Sequence, residues 1–248
     1  MNERKNNKIN FAIVGFGGIA KTHAVGAYMA NLNFDLDYSL NLKTIVTRKP
    51  ITYSINGVNN TLDLDEVLRD ESIDFIDICT PNNSHIEIIE KAVKYGKPIY
   101  CEKPLASNLE DAKRAEKLVR ENNIKNAVAL NYRFMPAVSL IKNEINKNTI
   151  GDIIDFKIKV YHKSYLNPNK KGSWRTQKSS GGGALVDLGV HLIDLVNFTI
   201  SDIKDVDCDT RIFFKERTNV DEIGDCKLYL ENGASGHLEV SRIFAEKE

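Results

Sequence analysis

The sequence predicts an α/β protein. A parallel, doubly wound sheet fills its first half, and an α+β domain with an open, mostly antiparallel sheet fills its second. Three observations carry this expectation. Short apolar runs alternate with helical patterns up to about residue 131, a G-x-G-x-x-A turn follows the first of those runs, and after Arg133 the apolar period shortens to two. The expected domains are therefore 1–131 and 132–248. With 248 residues and 42% hydrophobic content, the chain has material for two modest cores.

The expected strands of the first half are 11–14, 42–46, 75–79, 99–101 and 127–130, each a compact apolar run. Between them, Asp63 with Glu66, Ser84 with Glu87 and Ser107 with Glu110 have the spacing of capping boxes that open helices. Gly96 followed by Pro98 reads as a helix stop and a strand restart. Alternation of this kind makes βαβ units, whose helices cover both faces of a parallel sheet. In the second half, Ile154, Phe156, Ile158 and Val160 alternate with Asp155, Lys157 and Lys159, the pattern of a strand with one wet face. Val206, Cys208 and Ile212 continue in that style. Cys226, Leu228 and Leu230 run into Asn232-Gly233, read as a two-residue hairpin turn, and Leu238 and Val240 return. One helix is expected at about 183–199.

Composition excludes several classes. Lys plus Arg number 34 and Asp plus Glu number 34, so no excess charge advertises a nucleic acid or a membrane surface as partner. Residues 1–8 are polar and charged, so no secretory signal is expected, and no apolar run reads as long enough to span a bilayer. Cys79, Cys101, Cys208 and Cys226 fit neither a CxxC pair nor a zinc pattern, and the five histidines are scattered. The expectation is buried thiols in a reducing cytoplasm and no metal.

The turn Gly15-Phe16-Gly17-Gly18-Ile19-Ala20 carries the first chemistry. At the first βα connection, Gly15 permits a tight turn and Gly17 lets backbone approach a pyrophosphate. Ala20 lets the helix pack closely on the strand. The helix N-terminus then offers free N–H groups and positive partial charge to phosphate, the fingerprint of a dinucleotide-binding Rossmann unit. An NAD site ordinarily places an acid at the end of the second strand, but here that strand ends Val46-Thr47-Arg48-Lys49. Asp35 and Asp37 precede the strand and belong to its other end. Arg48 and Lys49, with Thr47 and Arg48 as the expected contacts, suit a 2′-phosphate, which favours NADP over NAD, although both cations also fit a solvated turn.

Three polar clusters stand where later strands end, the place ligands occupy in open α/β sheets: Thr80-Pro81-Asn82-Asn83-Ser84-His85, Glu102-Lys103-Pro104 and Asn131-Tyr132-Arg133-Phe134. Farther on, Asp187, His191 and Asp194 share one face of the expected helix beside an apolar stripe of Leu185, Leu188, Leu192, Leu195 and Val196. By itself such a polar stripe reads as a solvated face. Tyr132, Tyr165, Trp174 and Arg175 offer aromatic faces and a guanidinium suited to a polyhydroxylated ring, or ordinary packing, and the loop 167–173 reads as a lid.

Together GFGGIA, TPNNSH, EKP, NYRF, SWR and GGGALVDLGVHLIDL resemble, in order and over nearly the whole chain, the glucose–fructose oxidoreductase / inositol dehydrogenase family of NAD(P)-dependent enzymes. The resemblance implies a Rossmann domain, a following α/β domain with a large open sheet, and a substrate cleft between the two. It implies Lys103, Asp187 and His191 as the catalytic set. It also implies Thr80, Pro81, Asn82, His85, Glu102, Lys103 and Asn131 as cofactor contacts beside the glycine turn, and Lys103, Arg133, Tyr165, Trp174, Arg175, Asp187 and His191 as substrate contacts. For His85 a structural role at a helix start fits equally. The implied reaction moves a hydride between a nicotinamide and a hydroxyl or keto carbon of a sugar, inositol or related polyol. Relatives of the family also suggest an NAD-dependent glycoside hydrolase, and the shortness of the second half relative to the family suggests a non-catalytic dinucleotide-binding protein. Family members continue roughly a hundred residues farther, so the second sheet is expected to be incomplete and to expose an edge and one apolar face. Homo-oligomers formed through that sheet are implied.

Overall fold

The structure is a computed structural model and describes residues 7–169 and 173–245. The segment 1–6 and part of the expected lid, 170–172, lie outside the described residues. The chain divides into two compact units, Met1–Ala129 and Leu130–Glu248.

The first unit runs β1 (Asn7–Val14), α1 (Gly18–Asn33), β2 (Tyr38–Val46), β3 (Asn59–Thr61), α2 (Leu64–Arg69), β4 (Phe75–Ile78), α3 (His85–Lys94), β5 (Ile99–Cys101), α4 (Leu109–Glu121) and β6 (Asn126–Val128). Its six strands are all parallel in the order β3-β2-β1-β4-β5-β6. The order reverses between β1 and β4, which opens a crevice at their carboxyl ends. Buried Ile, Val and Ala side chains on β1, β4, β5 and α3 form one core, with each large aliphatic contributing about 1.5–3 kcal/mol. A second cluster, Phe11, Ile13, Ala20 and Cys79, holds α1 on the opposite face.

Local signals act differently from their expected form. Asp63 caps α2 by accepting the Asp65 N–H, while Glu66 accepts from Thr61 instead of closing a box. Ser84 makes no cap, because its hydroxyl donates to the Pro81 carbonyl. The cap of α4 is Asn108, one residue beyond Ser107, and it accepts the Asp111 N–H at 2.9 Å. Gly96 does end α3. With φ +64° it turns the chain so that Gly96 N–H reaches Val93 and Lys97 N–H reaches Ala92, a Schellman closure.

The second unit has α5 (Pro136–Asn146), β7 (Asp155–Tyr161), a π-helical turn at Leu185–Gly189, α6 (Val190–Thr199), β8 (Ile203–Arg211), β9 (Ile223–Leu230) and β10 (Ser235–Ser241). The sheet order is β7-β10-β9-β8. The β8–β9 and β9–β10 pairs are antiparallel, and β10 pairs with β7 in parallel. Leu188, Leu192 and Val196 pack on Cys226, Leu228, Leu230, Leu238 and Val240 from one sheet face.

Four expectations are corrected here. The hairpin loop has three residues, not two: Leu230 N–H bonds the Ala234 carbonyl and Gly233 takes φ +88°, the form in which a type I turn ends in a left-handed glycine. Cys208 and Cys226 are not separate thiols. They are direct cross-strand partners on β8 and β9, and the structure joins them in a disulfide; Cys79 and Cys101 are free and buried. The uncovered sheet face is polar, not apolar. Alternation turns Lys157, Lys159, Asp205, Asp207, Asp209, Asp225, Lys227 and Glu239 away from the core, with Lys157 paired to Glu239 and Tyr229 to Asp207. Finally, Lys178–Thr199 is by length and composition apolar enough to cross a membrane, with an 18-residue window of mean hydropathy 1.2 of which 61% is buried within the protein. Its apolarity is that of a core helix, because its leucines fill the sheet face.

Candidate functional site

In the first unit the candidate site grows from the end of β1. Gly15 N–H bonds the Val46 carbonyl at 2.8 Å, and Cys79 N–H bonds the Val14 carbonyl at 2.9 Å, so the three strand ends meet at one turn. Gly15 has φ +87°, and a Cβ there would stand 2.8 Å from the Thr80 methyl. Only glycine satisfies both demands. By contrast, a Cβ on Gly17 or Gly18 would meet nothing within 4 Å. Helix α1 begins here with Gly17 as N-cap, without a side-chain cap and without an acid in its first turn, while Ala20 is wholly buried beneath. Open space over uncapped N–H groups fits a pyrophosphate. Phe16 flanks the turn under the Lys21 ammonium, and Ile19 is exposed.

Thr47 and Arg48 follow β2 at the same edge of the sheet. Thr47 is fastened by its N–H to Thr61 and by its hydroxyl to the Lys49 carbonyl, which leaves the Arg48 side chain exposed. Asp37 adjoins the opposite end of β2. After β4, Thr80 and Pro81 are half-buried and Asn82 is buried. His85 is 0% exposed, and its ring lies 2.9 Å from the Thr80 carbonyl and 3.1 Å from the Pro104 carbonyl. It ties the Thr80 turn to the Pro104 turn from inside, and burial lowers its pKa. Glu102 is buried, Lys103 is half-buried, and the Lys103–Pro104 peptide is cis.

A cluster absent from the sequence reading lies beneath. His23 of α1 places Nδ1 2.9 Å from Asp77 of β4 and Nε2 3.0 Å from Glu102. Cys79 Sγ lies 3.4 Å from the same Nδ1. Burial alone would lower the histidine's pKa, but its hydrogen bonds to Asp77, Cys79 and Glu102 outweigh that and push it up to about 12. Burial pushes the Cys79 thiol up to about 11. Ligand atoms of His23, Asp77 and Cys79 lie within 4.8 Å of one another. The imidazolium supplies the positive charge this group of acids requires. The available signal was Asp77, an acid inside a strand otherwise apolar and buried.

In the second unit the expected solvated stripe is buried: Asp187 is 4% exposed, and His191 and Asp194 are each 8% exposed. Asp187 lies in the π turn, which carries more residues per turn than an α-helix, so α-helical spacing does not describe its relation to His191. Its carboxylate pairs with the buried Arg242 from the end of β10 and sits 3.4 Å from Arg175 Nε. His191 stacks on Tyr132 with ring centroids 4.2 Å apart. Asp194 receives Arg133 through both Nε, at 2.8 Å, and a terminal nitrogen, and this bond raises the arginine's pKa. Tyr165 is buried, donates its hydroxyl to the Arg175 carbonyl and lies beneath the Arg242 guanidinium, so it supports the site from within. Arg175 is exposed and stacks on the half-buried Trp174, and Asn131 is exposed. Arg242 carried no sequence signal. It joins the site because β10 ends beside the π turn.

Residues 9–130 match the family described as "Oxidoreductase family, NAD-binding Rossmann fold", and residues 138–248 match the "GFO/IDH/MocA C-terminal domain". The chain is 32% identical over 216 residues to levoglucosan dehydrogenase of Pseudarthrobacter phenanthrenivorans, covering 84% of this chain and 55% of that protein. It is 33% identical over 184 residues to scyllo-inositol 2-dehydrogenase (NAD(+)) of Bacillus subtilis, covering 71% and 51%. Among solved structures, levoglucosan dehydrogenase in complex with NADH and levoglucosan superposes with a TM-score of 0.89 at 30% identity, covering 98% of this chain and 69% of that one. The chain spans about half the length of the curated relatives it matches.

Proposed function

Because the chain belongs to the GFO/IDH/MocA oxidoreductase family, we propose that it binds a nicotinamide dinucleotide and moves a hydride between that cofactor and a carbinol carbon of a sugar, inositol or related polyol. The observation that carries this reading is the uncapped, acid-free N-terminus of α1, with open space over Gly17 and Gly18 where β1 and β4 end. A bound nicotinamide supplies hydride acceptor and donor chemistry. Gly17 and Gly18 would hold the pyrophosphate by their N–H groups, with Ile19 and Phe16 beside it. Thr80, Pro81 and Asn82 would border the same ligand, with His85 and Glu102 fixing those turns from below.

The chain's own groups handle the proton. As the carbinol carbon gives up its hydride, His191 takes the hydroxyl proton, and a ketone results. The Lys103 ammonium stabilises the alkoxide that develops on that oxygen. Asp187, held by Arg242, orients substrate hydroxyls. Arg133, Trp174 and Arg175 contribute to substrate recognition, with Tyr165 supporting them. In the reductive direction the protonated His191 returns the proton.

For the cofactor, exposed Arg48 at the end of β2 favours NADP, since a guanidinium matches a 2′-phosphate in a fork. NAD is the second reading, favoured by the relatives whose names and structures carry NAD(+) or NADH. Binding titrations with both dinucleotides test the choice: tighter NADP binding is expected, and tighter NAD binding overturns it. Incubating the chain with each dinucleotide and a panel of sugars and inositols tests the activity through nicotinamide absorbance.

A further inference from the structure

We propose that His23 is a positioning residue for Lys103: clamped between Asp77 and Glu102, its ring fixes the carboxylate that holds the lysine's own backbone N–H. The proposal rests on the reading above, in which Lys103 acts on substrate, and it adds a residue of α1 to that machinery.

The geometry runs through four groups. His23 lies on the helix whose N-terminus faces the glycine turn. Its Nδ1 is 2.9 Å from one Asp77 oxygen and 3.1 Å from the other, and its Nε2 is 3.0 Å from Glu102 Oε1. A neutral imidazole has one N–H, but here both ring nitrogens face carboxylates, so the ring is doubly protonated and donates at both ends. The other Glu102 oxygen, Oε2, accepts the Lys103 backbone N–H at 3.1 Å. Glu102 N–H in turn bonds the Ile78 carbonyl at 2.9 Å, so the whole Glu102–Lys103 turn is anchored to β4. Side-chain exposures of 15% for His23, 3% for Asp77 and 10% for Glu102 keep water from substituting for these bonds.

The position of the lysine is thereby set by a cation on α1, 79 residues from Glu102 in sequence. Without that cation, Asp77 and Glu102 face each other as buried acids, and Glu102 loses the partner that fixes its rotamer. The Lys103 N–H then loses a defined acceptor. Displacement of a reacting group by about an ångström costs on the order of a hundredfold in rate.

The test uses the full chain and the variants His23→Gln, His23→Ala and Lys103→Met. A glutamine amide can donate to one carboxylate but not to both. Selective 15N-lysine labelling, with the Lys103 signal assigned by its loss in Lys103→Met, reads the backbone amide directly and needs no turnover. The expected result is a moved or broadened Lys103 amide in His23→Ala, a smaller change in His23→Gln, and dinucleotide affinity within about twofold of the parent. In turnover, His23→Ala is expected to lower kcat about ten- to a hundredfold, with His23→Gln in between. Adding His23→Gln to Lys103→Met is expected to cause no further loss. An unchanged Lys103 amide in both His23 variants overturns the proposal, as does a His23 effect that persists undiminished in the Lys103→Met background. Failure of the underlying reading shows separately, as full turnover in Lys103→Met alone.

Discussion

Two histidines stand among buried acids in this chain, one in each unit, and they are held in opposite ways. His23 is itself the positive partner of Asp77 and Glu102. His191 has Asp187 and Asp194 nearby in sequence, yet each of those acids is met by an arginine, Arg242 with Arg175 for the first and Arg133 for the second. The ring of His191 stacks on Tyr132. The difference teaches what a histidine is used for. Where it supplies the charge that buried carboxylates require, its proton is locked and it serves as scaffold. Where arginines supply that charge, the histidine is not needed as the cation, which is in keeping with the proton-transfer role proposed for His191.

The largest effect is expected at Lys103, in the unit of the locked histidine. Lys103→Met should lower kcat about 10³-fold while dinucleotide affinity changes little, because the alkoxide loses its ammonium and the glycine turn is untouched. Steady-state rates beside a binding titration read this, and a parallel loss of affinity would move the lysine from catalysis to cofactor binding.

Next comes Arg242, the arginine paired with Asp187. Arg242→Met leaves a buried carboxylate without its main partner and should destabilise the protein by about 3 kcal/mol, measured by urea denaturation. Adding Asp187→Asn should recover much of that loss, since the uncompensated charge is then gone. If Arg242→Met costs nothing, the arginines do not provide the charge assigned to them.

A third effect follows from the proton on His23. Its pKa is raised from 6.5 to about 12 by its carboxylate partners, so the folded state binds a proton that the unfolded chain has released. The stability it confers is full below pH 6.5 and declines progressively as pH rises toward 12. Cys79, raised from 9.0 to about 11, adds a decline of the same sign above pH 9. Denaturation of the parent between pH 6 and pH 9 should therefore show falling stability, and His23→Gln should flatten that slope. An equal slope in both proteins would remove His23 as the locked cation.

Much of the first unit could be read from the sequence, because parallel βαβ units write themselves locally. Gly15 requires its backbone angle, Gly17 and Gly18 require open space, and Gly96 stops a helix, each within a few residues of chain. Strand β3 was missed, since three polar residues, Asn59, Asn60 and Thr61, form it by pairing with β2 alone. The helix caps slipped by a residue or lost their partner because Ser84 prefers the Pro81 carbonyl. The second unit was legible in its alternation but not in its ion pairs. Arg242 reaches Asp187 at a separation of 55 residues, and Arg133 reaches Asp194 at 61, distances no local pattern encodes. The polar stripe therefore read as solvated while its acids are in fact buried and paired. His23 went unread for the same reason: its partners are 54 and 79 residues away.

The smallest effect is expected at Arg48. Arg48→Ala should weaken NADP about tenfold and leave NAD unchanged, which sharpens the cofactor reading without touching either histidine.

The most direct test of the account is made at His191. The parent chain and His191→Ala are each incubated with saturating dinucleotide and a panel of sugars and inositols, and nicotinamide absorbance is followed. Reduction of the cofactor by at least one polyol is expected in the parent, and its loss in His191→Ala with dinucleotide binding retained. Undiminished hydride transfer in His191→Ala, or bound cofactor that no polyol reduces in the parent, would contradict it.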